Sequence, residues 1–164
     1  MRSCTFRTRL RARAAARPHN GRVMDAQLAR ERFAGQPVAR LATADAGGRP
    51  HVVPVTFAVT GARVVTAVDH KPKTTMALRR LRNVRDNPAV SLLADHYEDD
   101  WTRLWWARAD GTARVVEDGP DREAALDVLA SKYEQYRGRR PAGPVIVVDV
   151  TRWSGWSAAA TPAP

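Results

Sequence analysis

A small, mostly antiparallel β-barrel with helices covering its ends is the fold this sequence predicts, on three observations. At least six short stretches rich in β-branched and aromatic residues are separated by Gly, Pro, Asn or Asp. Two other stretches carry apolar residues at helical spacing. The last strand candidate, Pro144 to Val150, is almost continuously apolar, as a strand inside a core is.

The elements follow in order. Asp25 is an N-cap type, and a helix over Asp25–Phe33 carries Leu28 and Phe33 and stops at Gly35 and Pro37. Val38–Thr43 reads as a strand, Asp45-Ala46-Gly47-Gly48 as a turn, and Pro50–Val59 as the returning strand. Gly61 turns the chain into Arg63–Val68, so three strands are expected in meander order. A short amphipathic helix spans Thr74–Val84 and ends before Asn87-Pro88. Ala89–Ala94 is a strand. Trp101–Arg108 and Thr112–Val116 flank Asp110-Gly111, which is a strong hairpin signal. Asp121–Tyr136 reads as a second amphipathic helix, and Pro144–Val150 with Arg152–Trp156 as the last strand, bent near Ser154-Gly155.

Composition bounds the function. The chain has 164 residues, one Cys and 44% hydrophobic content, which fits one globular domain. Its longest apolar run, Val145–Val148, is far below the ~20 residues of a membrane-spanning helix. With Cys4 alone there is no internal disulfide and no Cys-cluster metal site, and a reducing cytoplasm is the expected compartment. The formal charge is +10, yet residues 1–23 hold seven Arg and no acid, which leaves +3 for the rest. The first 23 residues therefore read as a basic leader, disordered or outside the true start at Met24, with residues 24–158 as the domain and 159–164 as a tail. A nucleic-acid binder is not expected, since the charge sits in that leader and no recognition motif follows. Only three basic residues are Lys, and two of them are Lys71 and Lys73.

The sequence lacks a Gly-x-Ser-x-Gly elbow, a phosphate-binding Gly-x-x-x-x-Gly-Lys loop and a Gly-x-Gly-x-x-Gly turn. Its four His form no metal-ligand spacing, so no metal is expected. Glu98, Asp99 and Asp100 read as a solvated loop. The strongest candidate is His70-Lys71-Pro72-Lys73-Thr74-Thr75, a strand-to-helix junction where two ammonium groups and helix N–H groups converge on an anion. A second is Val52–Phe57, where Pro54 confines the strand to an edge whose amides can meet a flat heterocycle. A third is the aromatic stretch through Trp105 and Trp106, which as neighbours in a strand point to opposite faces.

Together these pieces resemble a known family. The order runs Val38-Ala-Arg-Leu-Ala-Thr43, Gly47-Gly-Arg-Pro-His-Val-Val-Pro54, Val68-Asp-His-Lys-Pro-Lys73, Leu81-Arg-Asn-Val-Arg-Asp-Asn-Pro88, Val90-Ser-Leu-Leu-Ala-Asp-His-Tyr97 and Leu104-Trp-Trp106. It is similar to the pyridoxamine 5'-phosphate oxidase-like split β-barrels, and within them to an actinobacterial subgroup that uses coenzyme F420. The resemblance implies a split barrel of six to seven antiparallel strands and a homodimer with a cofactor at each interface. It further implies hydride transfer between reduced F420 and a small organic acceptor, with FMN as the alternative cofactor and a non-catalytic carrier as the alternative role. By the family's pattern, Lys71, Lys73 and Thr74 hold the cofactor phosphate, while Val53, Pro54, Val55 and Thr56 line the ring through backbone atoms. Thr66, Val68 and Asp69 flank the ribityl chain, and Trp105 and Trp106 close the substrate side. A substrate-phosphate motif of the vitamin oxidases is not visible at the C-terminus. No catalytic side chain is assigned.

Overall fold

The computed structural model describes residues 21–68 and 78–158. Within them the chain forms β1 (Arg22–Met24), α1 (Ala26–Ala34), β2 (Ala39–Ala44), β3 (Pro50–Val55), β4 (Ala58–Thr60), β5 (Arg63–Ala67) and α2 (Arg79–Asp86). Then come β6 (Ala89–His96), a 3₁₀ turn (Trp101–Arg103), β7 (Trp105–Val116), α3 (Pro120–Lys132), α4 (Glu134–Gly138) and β8 (Val145–Ser157). The strands make one antiparallel sheet in the order β3-β2-β6-β7-β8-β5-β4, with β1 added to β8. The sheet curls around a core that includes Phe33, Leu41, Phe57, Val64, Leu92 and Val148, giving the split barrel that the resemblance implies.

Local chemistry explains the elements that match expectation. Asp25 Oδ1 accepts the Leu28 N–H at 2.8 Å and caps α1. The helix plugs the barrel with Phe33, whose ring centroid lies 4.6 Å from Phe57 and 5.3 Å from Trp153. Asp45 Oδ1 accepts from the Gly47 and Arg49 amides, and Gly48 takes φ +80°, which closes the β2–β3 turn. Arg22 and Val23, placed in the leader by composition, pair with Ser157 and Trp156 of β8. The residues of the Thr74–Val84 helix that are described start it at Arg79 and carry it to Asp86.

Four expectations are corrected. Asp110-Gly111 is not a hairpin turn: β7 runs unbroken through it, and the strand begins at Trp105, after a 3₁₀ turn. The glycine serves a bulge instead. Asp110 pairs with Arg152 and Gly111 with Val150, so Thr151 is an extra residue, and its hydroxyl donates to Asp110 O at 3.1 Å. The bend in β8 is therefore at Thr151 rather than at Ser154-Gly155. The returning strand Pro50–Val59 breaks at Thr56-Phe57, and β4 leaves for the far end of the sheet, so the three strands are not a meander. Finally, the helix over Asp121–Tyr136 breaks at Tyr133, which is extended at φ −116° and ψ 118°.

Tyr133 breaks its helix where its side chain serves the switch at Thr56-Phe57, at which the chain leaves β3 for the far end of the sheet. Its hydroxyl accepts the Phe57 N–H at 2.9 Å, and its one proton is shared between Phe57 O and Pro37 O. Tyr136 and Thr56 hydroxyls meet at 2.7 Å. Lys132 Nζ donates to Ala34 O at 2.9 Å and Gln36 O at 2.7 Å, closing the C-terminal end of α1, and sits 3.9 Å from the Phe57 ring centroid. Burial pushes the Lys132 ammonium down from 10.5 to about 8.

The outer face of the curled sheet is covered over one half only. There α3 packs Ala125, Leu126 and Leu129 against Ala58, Val65, Val145 and Val147. Among the described residues, no helix covers the outer side of the half formed by β3, β2, β6 and the adjoining parts of β7 and β8. The bulge sets this division. Ile146, Val148 and Val150 face the barrel core, and the extra residue lets Trp153 face it again.

Two outcomes test these features. A Cβ on Gly111 would lie 2.3 Å from Asp149 O, so Gly111→Val should cost about 1–3 kcal/mol in urea unfolding, whereas Gly47→Ala, whose Cβ would meet only the Asp45 side chain at 3.4 Å, should cost far less. Between pH 8 and 9.5 the unfolded chain keeps the Lys132 proton that the native chain releases, so stability gains with rising pH. The difference between the wild type and Lys132→Met should therefore shift in favour of the wild type across that window.

Candidate functional site

The sheet order places β3 at an edge, paired with β2 alone, as Pro54 requires. Its outer edge thus presents backbone groups that no other described strand takes. Val53 and Val55 point into the barrel, with Val55 buried and Val53 packed against the core, so they can offer a ligand only main-chain atoms. Pro54 points to the open outer face, opposite Arg40. Thr56 lies in the switch with its hydroxyl bound to Tyr136. Thr66 and Val68 are buried at the end of β5, and the Val68 amide donates to Pro144 O at 3.0 Å. Asp69, Lys71, Lys73 and Thr74 lie outside the described residues.

The flanks of that segment are described, and they are cationic. A cavity of about 380 Å³ lies between Val68 and Pro144 on one side and Leu78 and Leu81 on the other, with Arg82 and Arg85 at its rim. Arg85 is paired to Glu117, and Arg79 reaches Asp45 at 3.7 Å. At the neighbouring end of β3, Thr43 Oγ1 donates to His51 O and accepts from Asn83 Nδ2 at 3.0 Å. His51 Nδ1 and Asn83 Oδ1 are buried without hydrogen-bond partners among the described residues. Burial first, and then Arg79 and Arg80, hold the His51 imidazole below its usual range. Two orphaned buried polar atoms beside a basic helix mark a place built for more than packing. The signal was present in the sequence: Asn83 sits between Leu81 and Val84 on an apolar helix face.

Trp105 and Trp106 point to opposite faces, as their adjacency requires. Trp105 packs on the core with the Arg32 guanidinium 5.5 Å from its ring centroid. Trp106 stands on the outer face, opposite Trp156 and 6.0 Å from Arg108. The structure therefore does not bring the two rings to one place. The acidic stretch is not all solvated loop either: Asp100 caps the 3₁₀ turn through the Thr102 amide, and Glu98 contacts His96 and Arg103.

The open outer face has a composition of its own. Six large hydrophobics among the described residues are strongly exposed, and five belong to this face: Val23, Val52 and Leu93 in its strands, Val38 and Tyr97 beside them in the same alternation. Across it, register aligns Pro54, Arg40, Leu93, Arg108 and Ser154. Arg40 pairs there with Asp95 at 2.7 Å and Arg108 with Asp110 at 2.9 Å, while Arg152, opposite Asp110 in register, is exposed and has no ion pair among the described residues. Ser154 Oγ is buried there without a partner.

No described helix is long and apolar enough to cross a membrane. Among curated proteins, none matches the sequence. Solved structures with the same fold include an FAD-binding protein of Mesorhizobium loti, 21% identical, covering 85% of this chain and 99% of its own, with a TM-score of 0.66. A conserved hypothetical protein of Mycobacterium tuberculosis is 18% identical over 82% of this chain and 85% of its own, with a TM-score of 0.63. An FAD-binding protein of Mycobacterium smegmatis is 18% identical over 82% of this chain and 97% of its own, with a TM-score of 0.56. The match that decides the relationship is to a family and spans residues 26–157, from the first residue of α1 to the last of β8: this chain belongs to the pyridoxamine 5'-phosphate oxidase family.

Proposed function

We propose that this protein is an oxidoreductase that holds coenzyme F420 between two copies of the barrel and transfers hydride between the reduced cofactor and a small organic acceptor. The observation that carries this reading is the bare half of the sheet, rich in exposed apolar side chains and with Arg40 and Arg108 paired within the chain, lying beside the free edge of β3. A face that is largely apolar, with Arg40 and Arg108 already paired, suits contact with an identical face. The cofactor edge would then lie along the Val53–Thr56 backbone, with Pro54 and Trp106 on the shared surface. Lys71, Lys73 and Thr74 are the proposed anion holders, and Thr66, Val68 and Asp69 the flank of the cofactor's chain.

The residues present fit such a group. An unpaired strand edge offers amides to a flat ring, and the arginines of α2 suit a molecule with a phosphodiester and a polyglutamate tail. When bound, the cofactor supplies the hydride chemistry. The protein's part is to orient the ring along β3, neutralise the acidic tail and exclude water where the two faces close. A flavin, FMN or FAD, is the second reading, favoured by the two neighbours described as FAD-binding proteins. The natural acceptor is a small molecule, and the compartment that suits the single-Cys chain is the cytoplasm.

Equilibrium titration with F420, FMN and FAD tests the cofactor: F420 should bind tightest, and a flavin that binds tighter replaces it. Changing Lys71 and Lys73 together to Ala removes two charge-assisted contacts of about 1.5–3 kcal/mol each, so Kd should rise on the order of a hundredfold or more. An unchanged Kd takes both residues out of the site. Sedimentation should give a dimer, and Val52→Glu with Leu93→Glu should yield folded monomers that have lost cofactor binding. A wild-type monomer would overturn the shared site.

A further inference from the structure

On the opposite side of the sheet from the bare outer face, a cavity of about 390 Å³ opens at the C-terminal end of α1. Arg32 and Gln36 form one wall, and His96 at the end of β6 with Thr102 and Arg103 of the 3₁₀ turn form the other. Trp105 closes the floor. At ~30 Å³ per water, this is room for an organic molecule rather than a bare ion.

The charges in it are poised and incompletely used. Among the described residues Arg32 has no carboxylate within ion-pair distance, and the Trp105 ring holds its guanidinium at 5.5 Å. Against two of the lining residues, Glu98 Oε1 lies 3.0 Å from Arg103 Nε and 3.2 Å from His96 Nε2. Neither contact is aligned as a hydrogen bond, so Glu98 Oε1 and His96 Nε2 are both buried without a partner. A carboxylate thus borders the Arg103 side of the cavity with no aligned hydrogen bond to either neighbour. Two guanidinium groups present paired N–H donors in the fork that a carboxylate matches.

We propose that this cavity is a second binding site, for a small organic monocarboxylate, with Arg32 and Arg103 as its anion-holding residues and Glu98 as a resident competitor. Arg32 is fixed on Trp105 before the ligand arrives, which lowers the ordering cost of binding. A single negative charge suits the corner, because a dianion would be opposed by Glu98. Gln36 and Thr102 at the rim are placed to hydrogen-bond the remainder of the molecule. The site does not depend on the cofactor reading, since it uses the face of the sheet that the proposed dimer leaves free.

Benzoate and its neutral isostere benzamide are suitable probes for the full chain. The five Trp indole N–H signals of the sequence can be followed by NMR, and Trp105→Phe identifies the one that matters. Benzoate should shift the Trp105 signal saturably, with benzamide at least tenfold weaker. Arg32→Gln should weaken benzoate about tenfold while the other four indole signals stay in place. Glu98→Gln, which removes the competing charge, should strengthen it severalfold, a direction that misfolding would not produce. No saturable shift, equal binding of benzamide, or indifference to both substitutions would overturn the proposal.

Discussion

The long ladder between β7 and β8, with its one extra residue at Thr151, is the constraint on which the rest of the molecule depends. Each of the twelve residues of β7 has a partner on β8, and these two strands are the spine that joins both halves of the barrel. Side chains on a strand alternate strictly, so inserting one residue exchanges the faces beyond it. Before Thr151, β8 is buried on both sides, by the barrel core and by α3, and it reads as Val-Ile-Val-Val. Beyond Thr151 only the inner side is covered, and the sequence turns to Arg-Trp-Ser-Gly-Trp-Ser. Gly111 makes the exchange possible, because a side chain there would occupy the space of the Asp149 carbonyl.

The second constraint is the passage of the chain at Thr56-Phe57 from one end of the sheet to the other. A strand that continued would have paired with β5 as a meander and left the sheet flat. Instead Phe57 drops into the core, and its backbone amide and carbonyl, denied strand partners, are taken by the Tyr133 hydroxyl. The same turn of α3 and α4 supplies Lys132 and Tyr136. This is how β3 ends as an edge: the two residues that follow it, Thr56 and Phe57, are held by the Tyr136 and Tyr133 hydroxyls on the covered half of the barrel.

Much of this was legible in the sequence, and the part that was not has a physical reason. Capping at Asp25, the turn at Asp45–Gly48, the edge position of Pro54 and the opposed tryptophans are local effects, and local chemistry predicts them. Asp110-Gly111 misled because a glycine that permits a tight turn equally permits a close strand approach, and only the partner strand decides which. The break at Tyr133 depends on carbonyls some 76 and 96 positions earlier in the chain, and no window of sequence contains both. The Asn83–Thr43–His51 cluster was hidden for the same reason, although a polar residue on an apolar helix face was a sign of it. Lys71 and Lys73 stood out by composition, and their place in space lies beyond the described residues.

A bound redox group brings its own reactive atom, so a protein that serves one needs few distinctive side chains. The absence of a nucleophile or a metal-ligand spacing is then what the chemistry allows, and the informative residues are those that make a surface. On the outer face those residues are largely apolar, with Arg40 and Arg108 already paired in charge, a surface that is costly to leave in water. On the α1 side they are cationic, aromatic and only loosely satisfied, which suits an anion that comes and goes. One sheet therefore presents two surfaces of opposite character. The bulge that decides which side chains of β8 face inward also separates them, so the proposed contact between copies and the proposed anion site draw on different side chains.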